Sequence, residues 1–138
     1  MGRIINFESA GKKRVKLVKE IVISIRELMK QIRFDQDSRD LAAFISLALE
    51  AISETIELSV VAWEKRGYWV KADQFRLEWA WAGQFGNEMH QAVLAEDWKR
   101  IGQTAINVAQ QLNKVNVPVR HHLGTPWVGA WQRMRSKS

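Results

Sequence analysis

The stretch KKRVKLVKEIVISIRELMKQIRF, residues 12–34, decides the fold class. Val18, Ile21, Val22, Ile25, Leu28, Met29 and Ile32 recur at three- and four-residue steps, the spacing of one buried face of an α-helix. Lys12, Lys16, Lys19, Arg26, Lys30 and Arg33 recur at the same steps, displaced about a third of a turn around the axis. One face is therefore committed to packing and another is a ladder of cations. The first predicts an all-α protein. The second is the footprint expected of a chain that docks on phosphate or on an acidic partner.

Outward from this helix the same period continues. The Asp35-Gln36-Asp37-Ser38 cluster stops helix one, because short polar side chains compete for backbone hydrogen bonds, and Asp37 or Ser38 is the expected N-cap of helix two. Helix two runs to about Arg66, with Leu41, Phe44, Ile45, Ala48, Ile52, Thr55, Ile56, Ser59 and Trp63 on one face and Glu50, Glu54, Glu57 and Glu64 on another. Gly67 after Lys65 and Arg66 reads as its C-terminal stop. Helix three starts near Tyr68 and places Ala72, Phe75, Trp79, Ala82, Gly83, Gly86, Met89 and Val93 at heptad-like steps. Gly83 and Gly86 each cost about 1 kcal/mol against alanine in a helix, so another element is expected to approach closely there. Helix four runs from Glu96 or Asp97 to Val115, with Trp98, Ile101, Ala105, Val108 and Leu112 facing inward.

This pattern predicts an antiparallel four-helix bundle over residues 12–117, an N-terminal extension over 1–11 and a basic, aromatic C-terminal tail or short fifth element over 118–138. Leu77, Trp81 and Phe85 form a second apolar line on helix three. With Trp69 they predict a surface covered by a second copy, and hence a homo-oligomer.

The chain has 138 residues and 46% hydrophobic residues, enough for a single domain with a core. It has no apolar run long enough to span a bilayer and no leader-like segment, and it contains no cysteine. Disulfides, thiolate metal sites and thiol nucleophiles are thereby excluded, and a cytoplasmic protein without membrane contact is expected. The net charge of +6 is unevenly spread: residues 1–33, 34–98 and 99–138 carry +6, −7 and +7. The basic ends either neutralise the acidic middle or converge on one surface that attracts a polyanion.

Chemistry-bearing constellations are sparse. His121 and His122 are adjacent, and no acid follows them; His90 lies beside the packed line of helix three; Glu88 and His90 point to different sides of a helix. Gly83-Gln84-Phe85-Gly86 lacks the strand and third glycine of a phosphate loop. No enzyme, metal or cofactor is therefore expected. The remaining candidate is nucleic-acid binding by Lys12, Lys16, Lys19, Arg26, Lys30 and Arg33, joined by Arg133, Arg135 and Lys137 of the terminal WVGAWQRMRSKS, where Trp127 and Trp131 either stack on unpaired bases or cap the bundle.

Lys71-Ala72-Asp73 opening helix three, then Phe75, Arg76 and Leu77, the short turn around Leu94 to Trp98, and Gly129-Ala130-Trp131 near the end are features of a small, basic, cysteine-free bundle. Over roughly residues 26–115 this layout resembles the accessory variability determinant proteins of diversity-generating retroelements. The resemblance implies a ring-like homopentamer with a positive outer surface that binds a reverse transcriptase and its template RNA, or DNA, during mutagenic retrohoming, without catalysis. Two other readings share the composition: a helical small subunit of an RNA-guided ribonucleoprotein, and a protein-interaction scaffold whose charges pair only with one another.

Overall fold

A computed structural model of the chain describes residues 7–137, with side chains from residue 9 onward. Its elements are α1 (Phe7–Met29), α2 (Gln36–Lys65), α3 (Trp69–Glu78), α4 (Ala80–Leu94), α5 (Trp98–Gln111) and α6 (Ala130–Lys137). The protein is all-α, with no strand among the described residues. Of the expected N-terminal extension, residues 1–6 lie outside the described residues and 7–11 belong to the first turns of α1.

Helix α2 is the axle of the fold. α1, α3, α4 and α6 all pack on it, while α5 packs on α4 and touches α1. Three neighbours around its N-terminal half leave Leu41, Ala42, Ala43, Ile45 and Leu49 almost without solvent contact, although the sequence pattern assigns only part of that ring to the core. The face expected from the period is buried as read, with Trp63 half-buried at its end. The N-cap is Asp35 rather than Asp37 or Ser38: its Oδ1 accepts from the backbone N–H of Asp37 at 3.1 Å and of Ser38 at 3.3 Å. The helix ends at Lys65, followed by Gly67 at φ +83°, the left-handed conformation glycine adopts without steric cost.

Helix α1 stops at Met29, earlier than its apolar period. The chain must reverse before α2, so Met29 is half-exposed and Ile32 is 95% exposed instead of packed, while Phe34 stacks on Trp98 of α5 with ring centroids 4.6 Å apart. The glycines of α4 do what the spacing implies. A Cβ on Gly86 would lie 3.1 Å from Leu49 Cβ, and one on Gly83 would lie 3.1 Å from Ser53 Oγ. The hydroxyl of Ser46 donates to Gly86 O at 3.1 Å across the same contact.

Expected helix three is divided at Trp79, whose φ and ψ are −108° and 6°. In an unbroken helix, side chains two apart project to different sides. The local turn instead lets Trp79 and Trp81 stack with centroids 5.6 Å apart, within a row that runs from Trp63 through Phe75 and Trp79 to Trp81 and Phe85. Trp81 and Phe85 are thus drawn into the protein's own packing, whereas Leu77 and Trp69 remain exposed.

The C-terminal segment is not a free tail over its described length. Residues 130–137 form α6, with Ala130 and Met134 fully buried against α2. The anchor is Asp40, a buried carboxylate near the start of α2. It accepts from the backbone N–H of Gly129 at 3.2 Å and of Trp131 at 2.9 Å, so one helix supplies the N-terminal cap of another.

Candidate nucleic-acid interface

The cationic ladder begins as the period predicts. Lys12, Lys16 and Lys19 are exposed along α1, and Lys13, which the ladder omitted, is exposed beside them. The next rung on that face is Ile23, and it is only 1% exposed. Residues 117–128 cross the ladder here. Arg26 Nη2 donates to Val117 O at 2.8 Å, and Ile23, Arg26, Glu27 and Lys30 share a crevice of about 330 Å³ with His121 and Trp127. Arg26 is therefore a strut, Lys30 pairs with Glu27 at 3.3 Å, and Arg33 is exposed in the turn beyond the helix end. The six expected contacts do not form one edge: three face outward along α1, and the others are divided between internal roles and the turn.

The C-terminal cations also separate. Arg133 folds back, with Nη1 donating to Val128 O at 3.0 Å and Nη2 to Pro126 O at 3.3 Å. The Arg135 guanidinium lies over the Trp131 ring, 5.6 Å from its centroid. Lys137 is exposed. Trp127 and Trp131 are half-buried against the core.

α6 meets α1 across a groove at Leu17, not at the lysines of the ladder. Leu17 of α1 and Arg133 and Lys137 of α6 wall one groove of about 510 Å³, floored by Phe44, Leu47 and Ala48 of α2. Lys12, Lys19, Arg33 and Lys137 make no ion pair or side-chain hydrogen bond among the described residues.

Several acids of the middle segment are engaged away from α1. Arg76 of α3 pairs with Glu57 at 3.3 Å and Glu64 at 4.0 Å of α2 and with Asp73 at 3.7 Å. Glu50 faces His90 Nδ1 at 3.6 Å, and Arg100 holds the Glu88 carboxyl below its ordinary range by a hydrogen bond. No described glutamate of α2 pairs with a lysine of α1.

Two further α1 groups define the electrostatics. Glu20 is 8% exposed, and burial pushes its carboxyl above the usual range, partly opposed by Lys16 one turn away. Arg14 turns inward. Its Nη1 donates to Thr55 Oγ1 and Ser59 Oγ, both at 3.5 Å, and its guanidinium lies 4.9 Å from the Phe75 ring centroid and 5.8 Å from that of Trp79. Burial lowers its pKa. Arg14 thus pins the start of α1 to α2 and α3, a role no periodicity signals.

His121 lies outside any helix, with Nδ1 accepting from Leu123 N at 3.2 Å. No cluster of three His, Asp or Glu suited to a metal occurs among the described residues, and no described helix is long and apolar enough to cross a membrane. Comparison with known proteins finds no matching family model, no matching curated protein and no matching solved structure.

Proposed function

We propose that this protein is a non-catalytic accessory factor that binds RNA or DNA through phosphate contacts from Lys12, Lys16 and Lys19 of α1 and Lys137 of α6. The observation that carries the reading is the partition of charge. Glu50, Glu57 and Glu64 of α2 face His90 and Arg76, and no described glutamate of α2 pairs with a lysine of α1, which leaves the outward lysines available to an external polyanion. In this reading α1, α2, the bent α3–α4 leg and α5 act as an antiparallel four-helix bundle, with α6 strapped across it. A second copy covers the exposed Leu77, Leu58 and Val61 in a closed cytoplasmic homo-oligomer. The specific form of the proposal is the retroelement one: a pentamer that holds a reverse transcriptase and its template RNA. It rests on the resemblance of Lys71-Ala72-Asp73 and Gly129-Ala130-Trp131.

The test is an electrophoretic shift of a structured RNA by the wild-type protein and by a Lys12→Glu, Lys16→Glu, Lys19→Glu variant. Loss of the shift in the variant supports the proposal; equal affinity refutes it in favour of a scaffold. Native mass measurement separates the forms. A discrete oligomer without RNA favours the ring, and monomers that assemble only on RNA favour the guide-complex subunit.

A further inference from the structure

The α2–α3 turn carries an exposed pair of adjacent aromatic residues. Tyr68 is 55% exposed and Trp69 is 60% exposed, with Val70 beside them at 71%. Every other tryptophan is at least half-buried in packing. Lys65, Arg66 and Lys71 surround the pair on exposed positions, and residues 65–71 contain no acid. Gly67, Tyr68, Trp69 and Lys71 also line a shallow surface concavity. Two large rings held in water at the end of a rigid helix are costly unless something covers them.

We infer that this tip is a stacking platform for unpaired bases, and that a single strand leaves it along the lysines of α1. The inference rests on the proposed nucleic-acid function and names the form of nucleic acid that the protein prefers. Three observations select this occupant. Three cations, Lys65, Arg66 and Lys71, flank the rings and complement a phosphodiester backbone, while Asp73, one turn beyond Trp69, pairs with Arg76 at 3.7 Å. The rings are planar and flanked by charge, the arrangement that accepts any base without reading its edge. Third, the tip and the start of the ladder lie at the same end of the fold. Arg14 fixes the start of α1 at the level of Thr55 and Ser59, and Lys65 lies only about 9 Å further along α2 at about 1.5 Å per residue.

From there Lys12, Lys16 and Lys19 descend α1 at steps of about 4.5 to 6 Å along the axis. A flexible strand can touch the tip and then follow that line. A flat bilayer that meets the tip cannot also follow cations running down the side of the molecule. Trp69, expected from the sequence to serve subunit contact, is assigned to the strand instead.

The experiment is fluorescence anisotropy of the full chain with a labelled short oligouridylate and, separately, a labelled RNA duplex, for the wild type, a Tyr68→Ala, Trp69→Ala variant and the Lys12→Glu, Lys16→Glu, Lys19→Glu variant. Circular dichroism confirms that the exposed substitutions leave the fold intact. The expected result is a loss of at least about fivefold in oligouridylate affinity for the ring variant, with its salt dependence and duplex affinity unchanged. The lysine variant loses both probes. Equal oligouridylate affinity for wild type and ring variant overturns the inference while leaving the proposed function standing. Failure of the wild type to bind either probe overturns both. Two other outcomes overturn the platform: a ring variant that changes oligomeric mass marks a subunit contact, and one that loses binding only to anionic phospholipid vesicles marks a membrane contact.

Discussion

Replacing Asp40 by alanine should release α6 while leaving the rest of the fold in place. The carboxylate accepts two backbone N–H groups, from Gly129 and Trp131, at 3.2 and 2.9 Å. Hydrogen bonds to a charged acceptor contribute about 1.5–3 kcal/mol each, and removing the acceptor also removes the cost of burying its charge. A net loss of about 2–4 kcal/mol follows. Against that stand the burial of Met134, about 1.5–3 kcal/mol, and the negligible intrinsic stability of an eight-residue helix. The two sides are comparable, so α6 opens locally before the core does. Hydrogen exchange followed by mass spectrometry should show faster exchange over residues 129–137 by about 30- to 700-fold, with α2 and α4 protected as before. Asp40→Asn, which keeps one acceptor but turns an amide donor toward the second N–H, should fall between. Exchange in that segment unchanged within about twofold would refute the capping role of Asp40.

Arg26→Met should speed exchange across residues 117–128 and cost about 1–2 kcal/mol by urea denaturation, yet leave RNA affinity intact, because Arg26 is occupied by Val117 O. Gly86→Ala should destabilise by about 1 kcal/mol or more, since its Cβ meets Leu49 Cβ at 3.1 Å, while Gly102→Ala in α5 meets nothing within 4 Å and should gain up to about 1 kcal/mol; thermal melts compare them. The Glu20 carboxyl is raised by burial, so the folded chain holds its proton to higher pH than the unfolded chain and stability falls as pH rises through that window. Glu20→Gln should therefore raise the urea midpoint at neutral pH, with the gain vanishing below about pH 4; equal gain at both pH values would refute the burial argument.

How far the sequence reveals the structure depends on how local the cause is. The α2 face from Leu41 to Trp63, the stop at Gly67, the α5 face from Trp98 to Leu112 and the close approach at Gly83 and Gly86 follow from periodicity and glycine chemistry within one element. Periodicity places Met29 and Ile32 in the core, yet both are exposed, because periodicity reports a face and does not report where the opposing helix begins. The break at Trp79 accompanies its stacking on Trp81, a contact between positions two apart that helical periodicity does not signal. α6 depends on Asp40, which is 89 residues from Gly129 in the chain. The site divides in the same way. Lys12, Lys16 and Lys19 were legible as a stripe, whereas the covering of Ile23 and the capture of Arg26 arise from a distant loop. The tip was legible in principle: Tyr68, Trp69 and Val70 sit between Arg66 and Lys71 just after a helix stop, where no neighbour is available to bury them.

The central claim is that the outward lysines of α1 serve phosphate. The most direct test is the salt dependence of oligouridylate binding for the wild type and for a Lys12→Gln, Lys16→Gln, Lys19→Gln variant. Each phosphate contact contributes about −0.7 to the slope of log affinity against log salt for a single strand, so the variant's slope should be shallower by about 2. Identical slopes and identical affinities would show that these lysines bind no polyanion.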